Sequence, residues 1–234
     1  APTTPTEQIV AKVFADVLGV ERVGRALDIL RAWDGNEAAD SVPAAIFEVW
    51  FTNHLRPAAV RAVLPPDAAK AVGAGDAARV LEMLEKPAGW MTVEARTQLL
   101  LDSLGTALGE IESKLGPVVS GWTWGRLHRA VFEHPLASVV DEPTRALLNV
   151  GDWPVGGSGD TPMATTYRAT DYRLTAGASF RMVLDVGNWD ESKAINTPGQ
   201  SGDPSRPQYR DLAPLWARGE YFPLVYSKEA EARA

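Results

Sequence analysis

The 234-residue chain contains no cysteine, which excludes disulfides, thiolate metal sites and a cysteine nucleophile together. Histidine is scarce. His54, His128 and His134 are the only three, so chemistry that needs an imidazole has few places to reside. Basic residues are outnumbered, 23 Lys and Arg against 30 Asp and Glu, for a net charge of −7. That balance argues against nucleic acid or an anionic membrane surface as the main partner. No apolar run approaches the roughly 18–20 residues that cross a bilayer, so no membrane span is expected. The opening Ala1-Pro2-Thr3-Thr4-Pro5 also lacks the basic and then apolar layout of a signal peptide.

What is present is globular. With 45% hydrophobic and 23% charged residues, the chain can bury a sizeable core. Residues 5–137 carry helical periodicity. Thr4-Pro5-Thr6-Glu7 reads as a helix start, with Glu7 placed for a capping box and Gly19 as the stop. A second helix is expected over Arg25–Ala32, followed by the turn Trp33-Asp34-Gly35. A third opens at Ser41-Val42-Pro43, presents Ile46, Phe47, Trp50 and Phe51 on one side, and closes at Pro57 or at Pro65-Pro66. Asp76 can cap a short helix carrying Val80, Leu81 and Leu84. Thr92 can cap the longest one, in which Leu100, Leu104, Leu108, Ile111 and Leu115 recur at helical spacing before Gly116-Pro117. A further helix is expected from Trp124-Gly125 through Leu127, Ala130 and Val131 to His134-Pro135.

After Asn149 glycine crowds the chain and alternation begins. Phe180, Met182, Leu184 and Val186 alternate with Ser179, Arg181, Val183 and Asp185, the period of a strand. Gly187-Asn188-Trp189-Asp190 supplies a turn and Lys193–Thr197 the return strand. A loop, Pro198–Pro207, leads to a short helix around Tyr209–Gly219. The fold class expected is therefore α+β, a helical N-terminal half followed by antiparallel strands.

Several motifs invite chemistry. Gly156-Gly157-Ser158-Gly159-Asp160-Thr161 lacks the Gly-Lys-Ser/Thr ending of a phosphate loop and reads as a tight loop. Gly199-Gln200-Ser201-Gly202-Asp203 misses the final glycine of a nucleophile elbow and reads as a backbone feature. His128 and His134, six residues apart, lie about 600° apart on a helix and cannot chelate one metal locally. Structural roles near aromatic residues are expected for both. Asp185 shares a strand face with Arg181, beside which a buried carboxyl would titrate low. The residues alone contain no self-contained active site.

Four segments carry a resemblance that extends from about Ala26 to the C-terminus. They are Leu30-Arg31-Ala32-Trp33-Asp34-Gly35; Trp122-Thr123-Trp124-Gly125-Arg126-Leu127-His128 with Phe132-Glu133-His134-Pro135-Leu136; Gly177-Ala178-Ser179-Phe180-Arg181-Met182-Val183; and Gly199-Gln200-Ser201-Gly202-Asp203-Pro204 with Pro207-Gln208-Tyr209-Arg210-Asp211 and Leu215-Trp216. In these the chain resembles the penicillin acylase (penicillin amidase) family of N-terminal-nucleophile hydrolases, in the C-terminal part of the β-subunit. The family usually has His before the tyrosine, where this chain has Gln208.

The resemblance implies part of an αββα sandwich and the hydrolysis of an acyl-amide. In that family a serine freed by self-cleavage attacks the amide. Its own α-amino group is the base, and backbone N–H groups with an asparagine hold the oxyanion. No residue here matches either the serine or the asparagine motif, so both are expected upstream, as are any calcium ligands. No metal site and no cofactor are expected in this chain. Asp185 is the one candidate for an acid that supports the active site from a late strand. The implied partners are the rest of the β-subunit, the α-subunit and a small-molecule acyl-amide. The implied compartment is periplasmic or secreted. Three regions are expected: a helical lead or fusion junction over 1–24, a helical region over 25–137, and a strand-and-loop region over 138–234. Residues 1–24 themselves resemble the first helix of a peptidyl carrier domain. A carrier-like or interaction module, with Ser41 in Asp40-Ser41-Val42 as its attachment point, is the alternative.

Overall fold

The computed structural model describes residue 19 and residues 21–233. The helix expected over residues 5–19 lies outside the described residues except at Gly19, as does most of the carrier-like lead. The chain is α+β and divides into two compact units, one reaching to Asn36 and resuming over Ser41–Thr123, the other formed by Glu37–Asp40 and Trp124–Ala234.

The first unit is helical. Helix α1 covers 21–31. Helix α2 (Val42–Glu48) starts where the Ser41 hydroxyl accepts from the Ala44 N–H and runs into a π-helical stretch, Val49–Leu55, and then α3 (Arg56–Val63). The helix therefore passes through Pro57 and stops before Pro65, one of the two ends foreseen. A proline ring crowds the carbonyl four residues back in a regular α-helix, and here the wider π-helical turn immediately precedes it. Helices α4 (Pro66–Val72) and α5 (Ala77–Glu85) follow, the latter capped by Asp76. Helix α6 (Val93–Leu115) begins at the Thr92 cap and ends at Gly116, as the leucine spacing predicts. Its Leu104, Ala107, Leu108 and Ile111 are buried, as are Ala44, Ala45, Ile46 and Val49 of the helical run before it. A second cluster gathers Leu55, Val60, Val80, Met83 and Leu84. Trp50 donates to the Ser103 hydroxyl at 2.9 Å, and His54 meets Glu110 at 2.7 Å.

The second unit holds the strands. A short helix, α7 (Trp124–Leu127), gives way to β1 (Arg129–Phe132), which pairs antiparallel with β2 (Val150–Pro154). The expected continuation of a helix to His134 is thus corrected to one helical turn and a strand. The pairing with β2 supplies the hydrogen bonds a longer helix would have made, and the ladder bulges at Ala130/Val131. Gly151 makes the bulge possible. Its φ is +133°, and a Cβ there would lie 2.4 Å from the Ala130 carbonyl oxygen. The second unit takes up the chain again at Trp124.

Helix α8 (Glu142–Leu148) lies between β1 and β2 in sequence. Strands β3 (Thr165–Tyr167) and β4 (Leu174–Gly177) form an antiparallel pair, and β5 (Arg181–Val183), β6 (Lys193–Ile195) and β7 (Phe222–Pro223) form a sheet in that order. Strand β5 is shorter than the alternation over 180–186 implies, because the Asp185 carboxylate accepts from the Gly187 and Asn188 N–H groups and turns the chain. Helix α9 (Ala213–Ala217) puts Trp216 into a core with Ala130, Val155 and Ile195. Helix α10 (Lys228–Glu231) closes the chain, anchored where Asp190 accepts from Ser227.

Candidate functional site

The family-like segments fall at three places in the second unit and one in the first. In the first, Trp33 packs on Phe47 at 5.4 Å and donates to the Asn36 carbonyl, while Asp34 accepts from the Asn36 N–H at 2.9 Å. Gly35 takes φ +81°. Trp33-Asp34-Gly35 is the turn that ends α1. Ser41, the alternative attachment point, is committed to capping α2.

Trp124 and His128 lie one helical turn apart, so their rings share a face. They stack at 4.8 Å, and Tyr167 and Tyr172 close around them at 5.2 and 5.9 Å from the indole. The indole N–H donates to the Gly157 carbonyl, and His128 Nδ1 donates to the Tyr172 carbonyl at 2.8 Å. His128 is fully buried. Burial lowers its pKa from 6.5 to about 4, outweighing hydrogen bonding to the Tyr172 and Thr165 backbone. It is therefore a neutral, structural imidazole. The sequence points to aromatic neighbours for it, but Tyr167 and Tyr172 arrive from a distant hairpin that no local signal announces.

His134 is a turn residue. Its Nδ1 accepts from the Leu136 N–H, and its own N–H is held by Asn149. His54 and His134 are thus engaged by Glu110 and the Leu136 amide, and His128 through Nδ1 by the Tyr172 carbonyl, while the buried His128 Nε2 has no hydrogen-bond partner among the described residues. Among the described residues no group of three metal-ligating side chains comes together.

The Gly199–Tyr209 loop folds on backbone bonds. Gln200 and Ser201 both donate from N–H to the Gln208 carbonyl, at 2.7 and 3.0 Å. A Cβ on residue 199 would lie 2.2 Å from that oxygen, whereas one on Gly202 would meet nothing within 4 Å. Only the first glycine is required for the close approach. The Ser201 hydroxyl accepts from the Asp203 N–H, a contact within the loop. Tyr209 donates its hydroxyl to the Leu148 carbonyl at 2.7 Å, which ties the loop to α8. Gln208 works through its carbonyl and leaves its side chain exposed, so the departure from the family's usual histidine leaves the loop intact.

Asp185 is exposed and holds its own turn. It is not placed beside Arg181, which donates to the Trp216 carbonyl and lies over the Trp216 ring at 4.7 Å and the Tyr221 ring at 5.8 Å. Among the described residues no ion pair joins Asp185 to Arg181.

Trp216, the ring under that arginine, lines a cleft of about 430 Å³. Val131, Phe132, Leu174, Ala176, Thr197 and Trp216 are among the residues that line it. Ser179 also opens onto it. One isolated parallel bridge joins Arg129 of β1 to Arg173, the residue before β4. Among the described residues no strand fills the space beyond it. The Thr197 hydroxyl is buried and has no hydrogen-bond partner among the described residues.

These features describe a scaffold rich in family-like turns and poor in reactive pairs. The chain belongs to the penicillin amidase family, whose model matches residues 3–233. It is 33% identical over 207 residues to penicillin acylase 2 proenzyme of a Pseudomonas species, covering 85% of this chain and 26% of that protein. It is 25% identical over 232 residues to an acyl-homoserine lactone acylase of Pseudomonas aeruginosa, covering 89% and 27%, and 28% identical over 209 residues to one of Pseudomonas fluorescens, covering 83% and 24%. The chain spans about a quarter of the length of these curated relatives.

Proposed function

We propose that this chain is the C-terminal segment of the β-subunit of a penicillin-acylase-type amidohydrolase that cleaves an acyl side chain from a linear amide. The substrate class is a β-lactam, an acyl-homoserine lactone or a lipopeptide. The nucleophilic serine and the oxyanion asparagine lie upstream, in polypeptide outside these residues. The serine's α-amino group takes its proton, attack gives an acyl-enzyme, and water releases the acid. The contribution of residues 1–234 is scaffold and pocket wall. The observation that carries this reading is the family match over 3–233.

The partners are the rest of the β-subunit and the α-subunit, produced from a precursor and acting in the periplasm or outside the cell. The relatives' length supports this, and so does the uncovered apolar surface of the β5 region, where Phe180, Met182, Leu184 and Val186 are all exposed. Asp185, at the end of that surface, is the candidate residue to support the active site once the remainder is in place.

The purified 234-residue chain alone is expected to show no hydrolysis of penicillin G or of an acyl-homoserine lactone above the buffer rate, while the complete processed polypeptide turns over one of them. Turnover by the isolated chain, lost on substitution of one of its own serines, would overturn the reading.

A further inference from the structure

We propose that the helical first unit carries a binding site for a single-chain aliphatic carboxylate, in a cavity framed by α3, the end of α4, α5 and the turn after α5. The hydrocarbon lies inside, and the carboxylate meets Lys86 and the Trp90 indole N–H. The site stands apart from the chemistry proposed above, and its occupancy does not depend on that reading.

The cavity measures about 560 Å³. Val60, Val63 and Leu64 line it from α3 and its C-terminal end, Val72 from the end of α4, and Val80 and Met83 from α5. Val60, Val80 and Met83 are buried and belong to the second hydrophobic cluster. The floor is therefore held by the packing that joins the helices. Gly75 lines the cavity too, with φ +71°. A Cβ there would stand 2.9 Å from a Val60 methyl and 3.7 Å from methyls of Val72 and Val80, so the glycine leaves the space open. An apolar hollow with a few polar groups at its edge is the usual form of a small-molecule site. Side chains of this kind suit an aliphatic chain, which loses its own exposed surface as it covers theirs.

The rim sets the head group. Its charged residues are Asp76, Arg79, Glu82 and Lys86. Arg79 and Glu82 pair with each other at 2.9 Å, and the Asp76 carboxylate caps α5 by accepting from the Arg79 N–H. Lys86, the residue after α5, is in no ion pair among the described residues. The turn that follows presents Trp90. The Trp90 and Met91 N–H groups both donate to the Pro87 carbonyl, and Gly89 takes φ +89°. The Trp90 ring is exposed and its indole N–H has no acceptor among the described residues. The indoles of Trp33, Trp50, Trp122, Trp124 and Trp216 all donate. An ammonium and an N–H donor at the mouth of an aliphatic cavity match an anion carried on a hydrocarbon chain. A cationic amphiphile would meet Lys86 with like charge, and an uncharged one would leave it unpaired.

The test uses the complete processed enzyme and decanoic acid bearing a diazirine on its chain, cross-linked by light and mapped by peptide mass spectrometry. Adducts are expected within residues 60–91, half-competed by decanoate at about 0.1 mM. Decanol and decyltrimethylammonium are expected to compete about fivefold less well, the worth of one solvated ion pair. Lys86→Glu is expected to reverse the order and make decyltrimethylammonium the better competitor. Trp90→Ala, at an exposed position whose loss costs the fold little, is expected to weaken decanoate about fivefold through the lost donor and ring. No adduct within residues 60–91 would overturn the proposal, since the cavity would then be empty or covered by other polypeptide. Equal competition by the three amphiphiles, or an unchanged order in Lys86→Glu, would overturn it as well, because the cavity would then be an unselective apolar surface. Hydrolysis of acyl-amides enters none of these readouts, so failure of this site and failure of the amidase reading are separate outcomes.

Discussion

Acidification from pH 6.5 to pH 4 is expected to cost the strand-rich unit about 3 kcal/mol of stability through His128 alone. The imidazole is neutral in the folded and unfolded chain above pH 6.5. As pH falls, the unfolded chain takes up a proton at its ordinary value of 6.5, whereas burial holds the folded group back to about 4. Between those values the unfolded state binds more protons, so stability is full above 6.5, falls as pH drops through the window and levels off below about 4. Carboxylates whose pKa is lowered, such as Asp171 beside Arg168 and Asp190 beside Ser227, add their losses only below the ordinary carboxylate range. The two contributions therefore separate along the pH axis. A proton NMR titration of His128 and urea unfolding at several pH values measure this. His128→Gln, which retains a donor but does not titrate, is expected to flatten the profile between pH 6.5 and 4. A His128 pKa near 6.5, or an unchanged slope in the variant, would contradict the account.

Trp124→Ala is expected to be the most damaging single truncation in the same unit, at about 4 kcal/mol. The ring is fully buried, stacked on His128 and met edge-on by Tyr167 and Tyr172. Its removal leaves a cavity among aromatic rings that cannot readily collapse, and it also strips the Gly157 carbonyl of its donor. Trp124→Phe retains most of the packing and loses the N–H, so about 1–2 kcal/mol is expected. Trp90 is 58% exposed, and Trp90→Ala should stay within about 0.5 kcal/mol. In Trp124→Ala the His128 pKa should also rise toward 6.5, because water reaches the imidazole. Urea midpoints for the three variants decide the order. A Trp124→Ala loss no larger than that of Trp90→Ala would show that the aromatic cluster does not hold this unit together.

Helix α6 was legible because everything that makes it is local: a Thr92 cap, leucines at helical spacing and a Gly116 stop. The β5–β6 hairpin was legible for the same reason, through alternation and a turn. Strand β1 was not. Ala130 and Val131 also fit a helical stripe after Leu127, and what makes them a strand is pairing with β2 across an intervening helix. Strands β3 and β4 are too short to show alternation of their own. The passage of the helix through Pro57 depends on a π-helical turn that no composition rule signals. The Trp124–His128 pair could be read from spacing, but not the tyrosines that enclose it. The cleft was invisible, since Thr197, Phe132, Ala176 and Trp216 meet only in the folded unit.

The central claim is that the reacting serine lies outside these residues and that residues 1–234 support it. Treating the complete processed enzyme with phenylmethanesulfonyl fluoride until hydrolysis stops, then mapping the adduct by mass spectrometry, tests it most directly. The account predicts one adduct on a serine at the start of the β-subunit and none on any peptide from residues 1–234. An adduct on a serine within this chain, formed in step with the loss of activity, would contradict it.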